Sequence, residues 1–108
     1  MAYNFIEFIE TPTFTRQVQE LLSDDEYCRL QFMLASDPEC GDLIKGGGGI
    51  RKVRHAIRGR GKSGGVRAIY YWLKDRHQIY MLIVYPKSKK DDLSAREAAV
   101  LRALVREL

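Results

Sequence analysis

The stretch VRAIYYWLKDRHQIYMLIVYP, residues 66–86, decides the fold. It contains two runs rich in β-branched and aromatic residues, 66–74 and 78–86, which are typical of β-strands. Only the short segment Asp75-Arg76-His77 separates them, so the two strands are expected to pair in antiparallel fashion. Pro86 has no backbone N–H to donate and is expected to end the second strand.

The segments around this hairpin predict an α+β domain. Residues 50–57, IRKVRHAI, are expected to form another strand, and residues 3–9 a first strand at one edge of the sheet. Three helix starts are marked by Thr11 before Pro12, Ser23 with Glu26, and Ser94 with Glu97. The predicted fold is a single domain, residues 1–108, with a small antiparallel sheet in the order β-α-α-β-β-β-α and helices packed on the sheet.

Charge is distributed unevenly along the chain. Residues 1–44 hold two basic and nine acidic residues, whereas residues 45–74 hold nine basic residues and no acid. Residues 75–108 hold seven basic and five acidic residues, which brings the net charge of the chain to +4. A long acid-free basic block favours a polyanionic partner, because it attracts phosphates at long range and releases their counterions on binding.

The segment AIRGRGKSGG, residues 56–65, matches two nucleotide-binding patterns. It fits the phosphate loop that ends in Gly61-Lys62-Ser63, and it fits Gly-x-Gly-x-x-Gly from Gly59. Both motifs require a helix after the turn, because the helix N-terminus binds the phosphates. The strand-like run from Val66 follows instead, so the segment is expected to be a hairpin connection whose basic residues bind phosphates: Arg58, Arg60 and Lys62.

Alternation of side chains predicts a cationic patch on the sheet. The expected members, from three neighbouring strands, are Lys52, Arg54, Arg67, Tyr85 and Lys87. Met81 and Ile83 are expected on the same face of the last strand as Tyr85. Arg67 belongs to the most apolar strand and has no acid nearby in sequence, so an anionic ligand is expected to be its partner.

Cations without a catalytic carboxylate or histidine suit the cleavage of RNA through its own 2′-hydroxyl. Attack of that hydroxyl on the adjacent phosphate needs positioning, charge stabilisation and some proton transfer. A lysine crowded by other cations gives up its proton more readily and can act as a base, and Tyr85 could stack on an unpaired base. His55 falls on the Val53/Ile57 face and is expected to be half-buried and structural, and His77 lies in a tight turn.

Neither a membrane segment nor a metal site is expected. Residues 79–84 form the longest apolar run and are too short to span a bilayer, and the N-terminus lacks the basic region of a signal peptide. Cys28 and Cys40 lack metal-ligand spacing and are expected to be plain thiols. A reducing cytoplasm is the expected location.

Three motifs along the chain are shared with a known family. They are Arg51-Lys52-Val53-Arg54, the glycine-rich basic segment 59–65 followed by Arg67-x-Ile69-Tyr70-Tyr71, and the closing Tyr85-Pro86-Lys87-x-Lys89-x-x-Asp92-Leu93. With the element order, they resemble the HigB-like branch of the RelE toxin superfamily over residues 5–106. The resemblance implies a toxin of a bacterial toxin–antitoxin pair that acts as a metal-independent endoribonuclease and cuts mRNA in the decoding site of the ribosome.

The resemblance also implies site residues and partners. Lys52 and Arg54 match paired cations of the family's central strand, Arg67 matches the arginine after the hairpin, and Lys87 matches a cation after the last strand. The acid–base group that some relatives carry near the C-terminus is missing here, so Tyr85 or Lys52 would replace it. Further RNA or ribosome contacts are expected from Arg51, Arg58, Arg60, Lys62, Lys89 and Lys90. The implied partners are an antitoxin of the helix-turn-helix, HigA-like type, and mRNA with ribosomal RNA; no cofactor is expected.

Two other functions stay open at this point. The chain could be a non-catalytic RNA- or DNA-binding module with the same basic sheet face, or a nucleotide-binding protein built on Gly61-Lys62-Ser63. Ribosome-dependent mRNA cleavage separates the toxin from the binding module. Nucleotide binding that is abolished when Lys62 is replaced would support the third function.

Replacement of Arg58, Arg60 and Lys62 together by alanine should weaken ribosome binding. The slope of log affinity against log salt concentration should fall by about one unit for each phosphate that the variant no longer neutralises. Stability should change by no more than about 0.5 kcal/mol, because exposed positions rarely matter more. Binding at several salt concentrations and thermal melts check both points, and a large drop in melting temperature would show that the segment is structural.

Overall fold

The computed structural model describes residues 5–57 and 65–108. The elements in these ranges are β1 Glu7–Glu10, α1 Pro12–Leu21, α2 Asp24–Ser36, β2 Asp42–Leu43, β3 Ile50–His55, β4 Val66–Leu73, β5 Gln78–Pro86 and α3 Ala95–Val105. A short 3-10 turn, Lys74–Arg76, joins β4 to β5. The predicted α+β class is confirmed, and the structure adds a two-residue strand, β2, that the predicted element order does not contain.

The five strands form one sheet in the order β1-β5-β4-β3-β2. β3, β4 and β5 pair in antiparallel fashion, as their short connections predict. β1 pairs with β5 at one edge, as expected, but it runs parallel to β5. This difference has a simple cause: α1 and α2 follow β1, so no tight turn forces β1 into an antiparallel pair.

Apolar side chains make a core on each face of the sheet. On one face α1 and α2 pack against β3, β4 and β5, and the fully buried members include Phe14, Leu30, Leu34, Tyr70 and Met81. On the other face, here called the α3 face, Leu101 and Val105 of α3 pack near Ile50, Ile69, Leu82 and Tyr85. The two-sided burial explains the near-continuous apolar sequence of β4 and β5.

The three predicted helix caps are present. Thr11 Oγ1 accepts a hydrogen bond from the backbone N–H of Phe14, and Ser23 and Ser94 form capping boxes with glutamates three residues later. The cap at Ser94 fixes where α3 begins. Residues 87–93, which connect β5 to this cap, are called the 87–93 segment. None of the helices that the structure describes combines the length and apolar character needed to cross a membrane.

A β-bulge in β5 changes which face the end of this strand presents. Ile69 pairs with Ile83 and Tyr70 pairs with Met81, so Leu82 is an extra residue in β5. Met81 therefore packs under α1 and α2, whereas residue 85 lies on the α3 face. The expectation that Met81 and Tyr85 share a face is wrong, because simple alternation holds only in a ladder without bulges.

Side chains of α1 and its cap satisfy the backbone around the bulge. Thr11 Oγ1 donates a hydrogen bond to the carbonyl of Leu82 at 2.7 Å, and the N–H of Val84 donates to Gln17 Oε1 at 2.9 Å. β1 ends opposite Met81, so beyond this residue no strand pairs with β5 on the β1 side. The bulge is thus built into the contact between α1 and the sheet.

A strand lies on each side of the glycine-rich segment that matches the phosphate-loop pattern. Residues 58–64, which include Arg58, Arg60 and Lys62, lie outside the described residues. β3 ends at His55 and β4 begins at Val66, and these two residues pair with each other. A strand rather than a helix follows the segment, so the helix N-terminus that a phosphate loop requires is missing at this position.

Candidate nucleic-acid interface

Side chains from β3, β4 and β5 meet at one end of the α3 face. Arg54 lies opposite Arg67, and Arg67 lies opposite Tyr85, so the three residues form a row across three strands. Lys52 precedes Arg54 by two residues and lies on the same face. These four residues, Lys52, Arg54, Arg67 and Tyr85, are here called the Arg67 cluster.

Arg67 is a buried cation with an acidic partner. Its side chain is only 4% exposed, and its Nε and Nη2 donate hydrogen bonds to Asp91 Oδ1 at 3.2 and 2.9 Å. No acid lies near Arg67 in sequence, so an anionic ligand was its expected partner. In the fold β5 returns the chain and brings in Asp91, 24 positions later, as that partner. The Arg67 hydrogen bonds, with the nearby charges of Lys52 and Arg54, lower the pKa of the Asp91 carboxyl.

The next residue, Asp92, reaches a second cation of the cluster. Lys52 Nζ forms an ion pair with the Asp92 carboxylate and also donates to the Asp91 carbonyl at 3.3 Å. Two consecutive acids thus contact two different cations, and the prediction of a patch without carboxylates is wrong. The signal was present in the sequence, since Asp91 and Asp92 are the only acids between Arg76 and Arg96.

Tyr85 is buried within the cluster. It is 5% exposed, its hydroxyl lies 3.5 Å from the Asp91 carbonyl, and Lys90 Nζ lies 4.9 Å from the centre of its ring. Lys90 also forms an ion pair with Glu97 in the first turn of α3. Burial raises the pKa of the Tyr85 hydroxyl, so this group keeps its proton at neutral pH. The covered ring leaves little surface on which a base could stack.

Arg51 lies outside the cluster. It pairs with Tyr70, which packs under α1 and α2, so it points to the opposite face from its neighbour Lys52. Its Nη1 donates hydrogen bonds to the carbonyls of Glu39 and Gly41 at 3.0 and 2.8 Å, and its Nη2 pairs with the Glu39 carboxylate. In this arrangement Arg51 holds the loop before β2 onto the sheet.

Two further predicted basic contacts, Lys87 and Lys89, lie in the described 87–93 segment. Lys87 follows β5 directly, and its N–H donates to the Gly65 carbonyl at 3.0 Å, while its side chain is exposed. Lys89 is exposed in the same segment. Beside the Lys52–Asp92 pair is a pocket of about 290 Å³ that is lined by Asp42, Leu43, Ile44, Lys45, Lys52, Asp92 and Leu93. A single-stranded polyanion could follow these surfaces past Arg67.

His55 takes no part in the cluster. His55 lies two residues after Val53 on β3 and therefore on the same face, under α1 and α2. Its Nε2 lies 3.2 Å from the carbonyl oxygen of Glu26 in α2. Burial lowers the pKa of the imidazole, although the contact with the Glu26 carbonyl opposes this effect. A half-buried, hydrogen-bonded structural histidine accounts for these facts.

The cysteines and potential metal ligands form no second site in the described ranges. Cys28 and Cys40 are both free and exposed. Across residues 5–57 and 65–108, no three histidine, cysteine, aspartate or glutamate side chains come close enough together to hold a metal ion.

The fold and the Arg67 cluster define a class of protein: a small α+β domain whose sheet presents cations suited to a polyanion. Comparison with known families agrees with this class. Residues 8–108 match the family described as the RelE toxin of the RelE/RelB toxin–antitoxin system. The chain belongs to the RelE toxin family.

Solved structures show the same fold at low sequence identity. The RelE–RelB toxin–antitoxin complex of E. coli matches with a TM-score of 0.59 and 13% identity, over 76% of this chain and 96% of that chain. Isolated E. coli RelE matches with a TM-score of 0.57 and 15% identity, over 96% of this chain and 100% of that one. A free E. coli RelE variant with two arginines replaced by alanine matches over both full chains, with a TM-score of 0.53 and 19% identity.

The pKa of His55 predicts a stability change near neutral pH. Because the folded state lowers this pKa from its ordinary value of 6.5, the unfolded state binds a proton first as the pH falls. The melting temperature should therefore be highest above pH 6.5 and fall toward pH 5.5, a window in which few side chains other than histidine titrate. Thermal melts between pH 5.5 and 7.5 measure it.

Two variants assign this pH dependence to one histidine. His55→Gln keeps an N–H donor for the Glu26 carbonyl but cannot titrate, so its melting temperature should be nearly flat over this range. His77→Asn removes the other histidine at a left-handed position, φ 52°, which asparagine tolerates, and it should behave like the parent protein. Equal pH dependence in His55→Gln and the parent would contradict the assignment.

Proposed function

We propose that this chain is the toxin of a type II toxin–antitoxin pair, from the HigB-like branch of its family, and that it cuts mRNA on the ribosome without a metal. Family membership supports the toxin. The observation that carries the ribonuclease is Arg67, a buried guanidinium whose donors point to the surface of the α3 face, with Lys52 and Arg54 beside it. Guanidinium groups bind two oxygens of one phosphate, which makes this cluster suited to an RNA backbone.

The chemistry that fits these residues is internal transfer at phosphorus. The 2′-hydroxyl oxygen forms a bond to the adjacent phosphorus and the bond to the 5′ oxygen breaks, which leaves a 2′,3′-cyclic phosphate and a free 5′-hydroxyl. Arg67 holds the non-bridging oxygens, and Lys52 and Arg54 stabilise the additional charge of the pentacovalent species. Fixed charges of this kind are commonly the largest contribution to catalysis.

Proton transfer needs one acid and one base. The raised pKa of Tyr85 keeps its hydroxyl protonated, so Tyr85 suits the acid that protonates the departing 5′ oxygen. Lys52 is the candidate base: after it has released its own proton to solvent, the amine accepts the proton of the 2′-hydroxyl and so regains its charge as the pentacovalent species forms. Arg54, Arg67 and the exposed Lys87 supply charge, since arginine does not give up its proton in proteins.

The ribosome and an antitoxin are the proposed partners. Lys87 and Lys89, which are exposed near the cluster, and the basic residues 58, 60 and 62 would contact ribosomal RNA. E. coli RelE, whose fold this chain shares, is known in a complex with its antitoxin RelB, and we infer that a neighbouring gene encodes an antitoxin for this chain. Action on ribosomes places the protein in the cytoplasm.

A non-catalytic RNA-binding module is the second candidate. It is favoured by one observation, the pairing of Arg67 with Asp91 in the absence of RNA, which leaves the guanidinium occupied. Such a module would bind RNA through the same surface and leave it intact.

Cleavage in a reconstituted translation system distinguishes the two candidates. With ribosomes stalled on a defined mRNA, the protein should cut the mRNA in the decoding site, and it should leave the same mRNA intact without ribosomes. Primer extension locates the cuts, and the 2′,3′-cyclic phosphate identifies the mechanism. Intact mRNA on ribosomes would support the binding module, whereas equal cleavage of naked RNA would contradict ribosome dependence.

Replacement of Arg67 tests its role at the scissile phosphate. Arg67→Ala should lower the single-turnover cleavage rate about a hundredfold, or on the order of 3 kcal/mol, because it removes charge stabilisation from the transition state. Arg67→Lys should recover part of the rate, since lysine offers a point charge rather than two aligned donors. Both variants should fold, because Asp91 is exposed and water can replace its partner. A fully active Arg67→Ala protein would remove Arg67 from the site.

A further inference from the structure

The two acids of the 87–93 segment occupy the groups that an RNA phosphate would need. Asp91 takes the Nε and Nη2 donors of Arg67, and Asp92 takes the Nζ donor of Lys52. Both acids come from outside the sheet, and the Asp91 side chain is 59% exposed. Two consecutive acids, of which Asp91 is largely exposed, thus pair with a buried cation and its neighbour.

We propose that the carboxylates of Asp91 and Asp92 stand in the positions of two neighbouring phosphates, and that an RNA strand displaces them when it binds. The inference rests on the proposed function, since it names RNA backbone as the ligand of the Arg67 cluster. It assigns two anion subsites, one at Arg67 and one at Lys52. It also makes the 87–93 segment a competitor of RNA that is part of the chain itself.

The hydrogen bonds at Arg67 favour the exchange. Nε and Nη2 both donate to the single oxygen Oδ1 of Asp91, whereas a phosphate offers each donor an oxygen of its own. Released Asp91 is readily hydrated because it is already largely exposed. Arg67 is never left unpaired, because the phosphate replaces the carboxylate at a position where an isolated charge would be costly.

The backbone of the segment allows the exchange. Hydrogen bonds of Lys87 to Gly65 and of Lys89 to Pro86 fix its beginning, and the Ser94 cap fixes its end. Among the backbone–backbone hydrogen bonds of the described residues, none involves the N–H of Asp91 or Asp92. Contacts with the Arg67 cluster therefore hold these two residues, and a ligand that takes over those contacts frees them.

A consequence is that free RNA binds weakly. Each RNA strand must compete with two covalently attached carboxylates, so contacts with the ribosome are needed to bring a strand to the cluster. The segment thereby keeps Arg67 and Lys52 paired in the protein without RNA and lowers its affinity for stray transcripts.

Binding of a single-stranded 2′-O-methyl RNA oligonucleotide tests the proposal. This probe lacks the attacking hydroxyl, so its affinity is measured independently of cleavage, by fluorescence anisotropy at low ionic strength. The Asp91→Asn/Asp92→Asn double variant should bind about fivefold more tightly than a control with the same charge change. The control is Asp75→Asn/Glu107→Gln, which alters two exposed acids in the β4–β5 turn and at the far end of α3.

Each outcome decides the matter. Equal or weaker binding by the double variant than by the control would overturn the proposal, and weaker binding would make Asp91 a residue that positions Arg67. Asp91→Glu, which keeps the carboxylate, should bind no more tightly than the parent. If the double variant does not fold, ¹H–¹⁵N spectra of the parent protein decide instead: the Asp91 and Asp92 amide signals should shift as the oligonucleotide is added, and unchanged signals at saturation would overturn the proposal. Failure of ribosomal cleavage would contradict the proposed enzyme without changing these binding results.

Discussion

The burial of one guanidinium group constrains the whole α3 face of this protein. Arg67 lies on β4, the central strand of the sheet, and only 4% of its side chain is exposed. A charge at such a depth requires an anion, because neither water nor the neighbouring apolar side chains can compensate it. The 87–93 segment supplies that anion through Asp91, and the position of the segment in turn fixes where Lys90 and Asp92 lie.

The β-bulge at Leu82 makes the cluster geometrically feasible. Without the extra residue, Tyr85 would lie on the same face as Met81, under α1 and α2. Arg67 would then lack the tyrosine that now lies beside it on the α3 face. Thr11 binds the carbonyl of the bulge residue Leu82 and Gln17 binds the N–H of Val84 two residues later, so α1 and its cap stabilise the irregularity. One helix thus helps to position a residue on the opposite face of the sheet, through the backbone of β5.

The cationic residues of β3 divide into two roles according to the face on which they lie. Lys52 and Arg54 take part in the Arg67 cluster, whereas Arg51 holds the Glu39–Gly41 loop and His55 contacts α2. Net charge along the chain does not distinguish these roles. The acid-free block of residues 45–74 is therefore a strongly positive region whose described members lie on both faces of the sheet.

The sequence by itself determined the order of all elements except β2, the three helix caps and the antiparallel hairpins, because these follow from local periodicity, proline and short turns. It also placed Lys52, Arg54 and Arg67 on one face, since β3 and the start of β4 are regular. Tertiary structure alone decided the parallel pairing of β1, which no short connection dictates, and the face of Tyr85, which depends on a bulge with no single-residue signature. It also decided the contact between Arg67 and Asp91. The two residues are 24 positions apart, and only the return of the chain through β5 brings Asp91 next to Arg67. Arg67 needs this acid because its guanidinium is buried.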